Sequence, residues 1–178
     1  MSVCGCATIV CAAAFAGSVA LGSDGDPGPA GPASAAVRAG ADARRLILRP
    51  PLSPWAAALV AEGLVVGQER LRSHASCRAL FEQLGCDGAA KLIGASYHAA
   101  SADQERRYCR RGVYALTTVG GSAVALCRRF TRLSGQQAAI ILIHEALHLA
   151  GRTEFPAAPE APDSLAITEM VMKGCRLF

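Results

Sequence analysis

Aromatic residues are scarce in this 178-residue chain, at one Trp, three Tyr and five Phe. β-Sandwiches and barrels draw their cores from aromatic and β-branched side chains. The scarcity, beside a 52% hydrophobic content rich in alanine, argues instead for a helix-rich core of small residues. Charge is thin as well, with 18% Asp, Glu, Lys and Arg and a net charge of +4. No basic stripe interleaved with aromatics runs along the chain, which argues against nucleic acid as a partner. No Cys-x-x-Cys pair occurs, which argues against a cysteine-type zinc ribbon. Beyond the N-terminal stretch, no apolar run reaches the ~20 residues that span a bilayer.

The first stretch of the chain lacks charge too. Met1 to Leu21 is apolar, and Ala7 to Ala16 has the length of a signal-peptide hydrophobic region. Ala14-Phe15-Ala16 fits small-x-small cleavage, with Val19-Ala20-Leu21-Gly22 as a later option, although no Lys or Arg stands near Met1. The reading is a signal peptide over 1–22 and a secreted or extracytoplasmic mature chain; an N-terminal anchor helix is the competing one. Ser23 to Arg45, with Asp-Gly-Asp-Pro-Gly-Pro-Ala-Gly-Pro, has no strict Gly-X-Y repeat and reads as a flexible linker rather than collagen. Residues 46–178 then form a single domain.

What is present is one chemically loaded stretch, Ile140-Ile141-Leu142-Ile143-His144-Glu145-Ala146-Leu147-His148-Leu149-Ala150-Gly151. Residues four apart share a helix face. His144 and His148 can therefore aim two imidazoles at one point, as a tetrahedral zinc ion requires. Glu145, one position round, is placed to serve as general base toward a zinc-bound water. Ser134 and Gln137 form a capping box at the start of this helix, and Gly151 stands where a left-handed C-cap is expected. The bland alternative is a core helix with two hydrogen-bonded histidines. A Glu between two buried histidines is costly without a metal or a partner, which weighs against it.

Continued to Glu154, the string reads HExxHxxGxxE. It resembles the metzincin branch of the zincin metallopeptidases, in which a glycine turns the chain sharply so that the next ligand returns to the metal. A Glu stands here where that pattern has His or Asp. The resemblance implies Zn²⁺ held by His144, His148 and Glu154. Glu169, as in gluzincins, and Asp163, as in aspzincins, are the rival third ligands. The order hairpin, Cys127-Arg128-Arg129-Phe130, then motif helix also resembles the secreted aspzincins over roughly the last 70 residues. The implied fold is α+β and zincin-like, with the active-site helix beside a small sheet or hairpin and a helix-rich N-terminal part. The implied activity is peptide-bond hydrolysis on a protein or peptide substrate, with Glu145 catalytic. A non-catalytic binding module and a hydrolase of non-peptide amides are the alternatives.

The remaining elements are read from local signals. Ser53-Pro54 opens a helix, with Trp55, Leu59, Leu64 and Val65 as its apolar side, weakened by Gly63 and Gly67. A second helix covers Ser76 to Leu84, with Leu80, Phe81 and Leu84 inward. Asp87-Gly88 is a turn, Lys91 to Ile93 and the region round Tyr97-His98 are ambiguous, and Ser101 to Arg111 is exposed. Gly112–Val119 and Ser122–Cys127 flank Gly120-Gly121 as a β-hairpin, whose edge an extended peptide can pair with. After the proline-rich stretch from Phe155 to Pro162, Asp163 or Ser164 caps a last helix running to about Lys173. Met170 and Met172 fall where a metzincin has its Met-turn, although core filling is the plainer reading. Tyr97, His98, Tyr114 and Arg152 are the candidate oxyanion donors. Cys4, Cys6 and Cys11 lie in the signal stretch. Among Cys77, Cys86, Cys109, Cys127 and Cys175, two disulfides and one thiol are expected, pairing Cys109 with Cys127 or Cys127 with Cys175.

Overall fold

A computed structural model describes residues 50–110, 112–154 and 160–178. The expected signal peptide and linker, and Phe155 to Pro159, lie outside these residues. The described chain is α+β. Helices α1 (Pro54–Ser73), α2 (Ala75–Glu82) and α3 (Gly88–Gly94) come first, followed by strand β1 (Ser96–Ala99) and the short helix α4 (Ala102–Arg107). Strands β2 (Ala115–Thr117) and β3 (Ala123–Leu126), a 3₁₀ turn (Arg128–Arg132), and helices α5 (Gly135–Leu149) and α6 (Ser164–Cys175) complete it.

Side-chain caps set the helix starts. The Ser53 hydroxyl accepts from the Ala56 amide at α1, and Asp87 accepts from Ala89 and Ala90 at α3. Asp87-Gly88 is therefore a helix start rather than a free turn. Ser101 with Gln104, and Ser134 with Gln137, each make a reciprocal capping box that satisfies two otherwise orphaned donors.

Helix α5 is the centre of the core. It packs along α1, and the two approach closely because α1 offers glycine at the crossing. A Cβ on Gly63 would lie 3.0 Å from Leu142 Cδ1 and 3.1 Å from Ala138 Cβ. A Cβ on Gly67 would lie 3.5 Å from Ile143 Cγ1 on α5 and 2.9 Å from Leu92 Cδ2 on α3. The buried stripe of α1 is Ala56, Leu59, Val60, Gly63, Gly67 and Leu71. The sequence expectation for this face was partly wrong: Trp55 and Val65 are exposed, and Trp55 donates its indole N–H to the Thr131 carbonyl. A helix face that fits closely against another is made of small residues, so the bulky ones point away.

The sheet has the order β1-β3-β2, with β1 parallel to β3 and β2 antiparallel to it. The expected hairpin is β2–β3, in register Ala115↔Leu126 and Thr117↔Val124. Its strands are shorter than the sequence suggested, and Gly120 (φ +72°) lies in the connection between them. The Gly120 amide donates to the His148 carbonyl at 2.9 Å, which ties the hairpin tip to the end of α5. The ambiguous Tyr97-His98 region is β1.

Two disulfides join the described elements. Cys109–Cys127 is one of the expected pairs, whereas Cys175 joins Cys77 rather than Cys127. The latter fastens the C-terminal end of α6 to α2, beside a hydrogen bond from Ser76 Oγ to the Gly174 carbonyl. Cys86 is the free thiol among the described residues. None of the described helices is long and apolar enough to cross a membrane.

Candidate metal centre

The C-terminal end of α5 builds the site. Ala138, Ala139, Leu142, Ile143, Leu147 and Leu149 bury its apolar surface almost completely. A fully buried Leu or Ile contributes about 1.5–3 kcal/mol, so this stretch offsets the cost of holding polar groups in the same helix. Three such groups are held there: His144, Glu145 and His148 are each only 6–7% exposed.

The helix then stops in a Schellman motif. Gly151, at φ +106°, donates to the His148 carbonyl at 3.0 Å, and Arg152 N–H donates to the Leu147 carbonyl at 2.9 Å. This reversal has two consequences. The Arg152 carbonyl returns to His148 Nδ1 at 2.7 Å. Glu154 returns to His148 Nε2, with its Oε2 3.6 Å away. The ligand atoms of His144, His148 and Glu154 all lie within 4.8 Å of one another.

Hydrogen bonding fixes where the imidazole protons are. A carbonyl can only accept, so His148 carries a proton on Nδ1, and in the neutral ring this leaves Nε2 bare. The Thr168 hydroxyl gives its single proton to the Ser164 carbonyl at 2.9 Å. It must therefore accept from His144 Nδ1, 3.0 Å away, which leaves His144 Nε2 bare too. The two bare Nε2 atoms face each other at 3.1 Å. Two lone pairs at that distance repel unless a positive charge lies between them. Burial, and then His148, lowers the His144 pKa to about 4, so His144 itself does not supply that charge as a proton. Glu154 Oε2 is buried and has no hydrogen-bond partner among the described residues. Two imidazole nitrogens and one carboxylate oxygen that converge in this way are a donor set that could hold a metal ion.

Glu145 lies beside this centre, and burial followed by the Glu154 carboxylate raises its pKa to about 8. The centre opens into a cleft of about 410 Å³. The segment Gly112 to Thr117, which contains edge strand β2, forms one side, and Ser164, Leu165 and Thr168 at the start of α6 line it as well. Comparison of this chain with known protein families, with curated proteins and with solved structures finds no match. The reading of the site therefore rests on its own geometry.

The structure separates the remaining candidates. Glu169 pairs with Lys173 at 3.1 Å on the exposed side of α6 and is not brought to the histidines. Asp163 spends its carboxylate on the Ala166 amide, capping α6. Of the four oxyanion candidates, Tyr114 alone lines the cleft. Tyr97 donates its hydroxyl to the Leu92 carbonyl, with its pKa pushed up by burial and then by Glu145. His98 turns its Nδ1 to the neighbouring Ala99 carbonyl. Arg152 lines a different depression, with Gln83 and Glu160. Met170 and Met172 are helical and pack against the core rather than forming a turn. Glu105, Cys109 and Cys127 also cluster, but the two sulfurs are bonded to each other and are not thiolate ligands. The residue missed in the sequence is Thr168. A lone threonine 20 residues beyond the motif carries no signal until α6 is folded back onto α5.

Proposed function

We propose that this chain is a secreted zinc-dependent peptidase of zincin type, with His144, His148 and Glu154 as metal ligands and Glu145 as general base. The observation that carries the reading is the pair of Nε2 atoms facing each other at 3.1 Å, with an unpartnered carboxylate oxygen beside them. When bound there, zinc supplies a Lewis acid and the acidification of water that goes with it.

The protein's own residues do the rest. Thr168 and the Arg152 carbonyl hold the two imidazoles in the tautomer that leaves Nε2 free. Glu145, buried beside the metal position, would be held as a carboxylate by a bound cation, and in that form it takes the proton of the attacking water and delivers it to the leaving amine. Tyr114 stands in the cleft wall as a hydroxyl donor for the developing oxyanion. Edge strand β2 offers backbone groups to an extended chain, which favours a polypeptide over a compact non-peptide amide. Two disulfides in so small a domain accord with an oxidising, extracytoplasmic compartment.

The test compares casein or peptide hydrolysis by the parent and by Glu145→Gln, with zinc content measured in parallel. The reading expects zinc retained and activity reduced by at least about 10²-fold, at the scale of lost general-base catalysis. Equal activity in the variant contradicts it. Zinc binding without cleavage of any peptide points to a non-peptide substrate, and well-folded protein without zinc points to a binding module.

A further inference from the structure

The sequence shows no continuous basic stripe, but folding assembles a basic surface from two separate segments. The Cys109–Cys127 disulfide, with Cα atoms 5.6 Å apart, joins the end of α4 to the start of the 3₁₀ turn. The Glu105 carboxylate accepts from the Arg128 amide and fixes the same junction a second time. Arg106, Arg107 and Arg110 come from one segment, and Arg128, Arg129 and Arg132 from the other. All six are exposed. Asp103 pairs with both Arg106 and Arg107. Among the described residues, Arg110, Arg128, Arg129 and Arg132 have no carboxylate partner. Arg129 and Arg132 stand three apart on a 3₁₀ turn, where side chains eclipse.

The position of this surface matters as much as its charge. Arg110 precedes Gly112, the first cleft-lining residue, by two positions, a Cα reach of at most about 8 Å. Among the described residues, the cleft has no Lys or Arg in its lining and contains Glu145 and Glu154. An acidic stretch finds no described cationic side chain along the cleft wall and several at its approach. Every cation of the surface is arginine, whose planar fork grips carboxylates in bidentate fashion. We propose that this surface docks an acidic polypeptide segment while the residues adjoining that segment enter the cleft. The second half of that statement rests on the peptidase reading; the first does not.

The experiment measures fluorescence anisotropy of labelled decaglutamate with the full-length protein. Saturable binding is expected, weakening steeply between about 50 and about 300 mM NaCl as screening shortens. Arg128→Gln/Arg129→Gln should weaken it by at least about fivefold, at the scale of two lost surface ion pairs. Arg72→Gln/Arg176→Gln, which removes the same net charge elsewhere, should change it less than about twofold. Equal losses in both double variants overturn the proposal, as does absence of saturation. Tighter binding of dextran sulfate or of phosphatidylglycerol vesicles at matched charge overturns the choice of polypeptide. With zinc-loaded protein, an acidic extension on a cleavable peptide should lower KM and leave kcat unchanged, and Arg128→Gln/Arg129→Gln should erase that difference. If the extension has no effect on KM, docking is not coupled to the cleft. If decaglutamate binds but no peptide is cut, the peptidase reading fails and the docking surface stands.

Discussion

The face of α5 that meets α1 is apolar, dry and packed closely enough that glycines are required opposite it. The face that meets the cleft holds two imidazoles, tied by hydrogen bonds to α6 and to the segment after Gly151, and the Glu145 carboxyl beside them. The first face is fixed by close packing over its whole length; on the second, each imidazole is tied to a neighbouring segment by one hydrogen bond. The comparison teaches that the rigid side supplies the stability that lets Glu145 remain buried with a pKa near 8 on the other.

The largest effect is expected on the rigid side. Gly63→Leu places a side chain where even a Cβ would lie 3.0 Å from Leu142. It should destabilise the protein by about 3 kcal/mol, the upper end of overpacking penalties, as read by the denaturation midpoint. A near-neutral result would mean that the α1–α5 contact is not tightly packed.

Next comes the pH dependence of the cleft side in zinc-free protein. Glu145 titrates about 8 folded against an ordinary 4.5, so the folded state favours the protonated form. Its contribution to stability is full below about 4.5 and is lost as pH rises toward 8. Glu145→Gln should therefore be more stable than the parent at pH 7, by up to about 3 kcal/mol at roughly 1.4 kcal/mol per unit. That advantage should vanish toward pH 4.5. The lowered His144 pKa acts in the opposite direction, with stability lost as pH falls from 6.5 toward 4, but it is common to both proteins and cancels in the difference. A difference independent of pH would show that Glu145 is not desolvated.

The smallest effect is expected at Thr168. Thr168→Val keeps the volume and removes the acceptor for His144 Nδ1. Zinc affinity should fall by about tenfold, as for other residues that orient a ligand, while thermal stability moves by less than about 1 kcal/mol. Competition against a chromogenic chelator reads the affinity. A large stability loss with unchanged affinity would make Thr168 a packing residue.

These contrasts also explain what could be read in advance. Helix α5 was legible end to end because its signals are local: Ser134 and Gln137 at one end, Gly151 at the other, and the motif between. The β2–β3 hairpin was legible from Gly120-Gly121. Strand β1 was not, because its four residues gain their identity by pairing with β3, a partner distant in sequence. The buried face of α1 was misread because a close helix crossing selects Gly63 and Gly67 over Trp55 and Val65. The choice among Glu154, Glu169 and Asp163 depends on where the chain turns after α5, and the pairing of Cys77 with Cys175 depends on α6 lying beside α2. Both are tertiary facts.

Zinc content per chain after exhaustive dialysis tests the central claim most directly, measured on the parent, Glu154→Ala and Glu169→Ala. The account predicts bound zinc in the parent and in Glu169→Ala, and its loss from Glu154→Ala. Retention in Glu154→Ala with loss from Glu169→Ala, or folded parent protein that takes up no zinc at all, would contradict it.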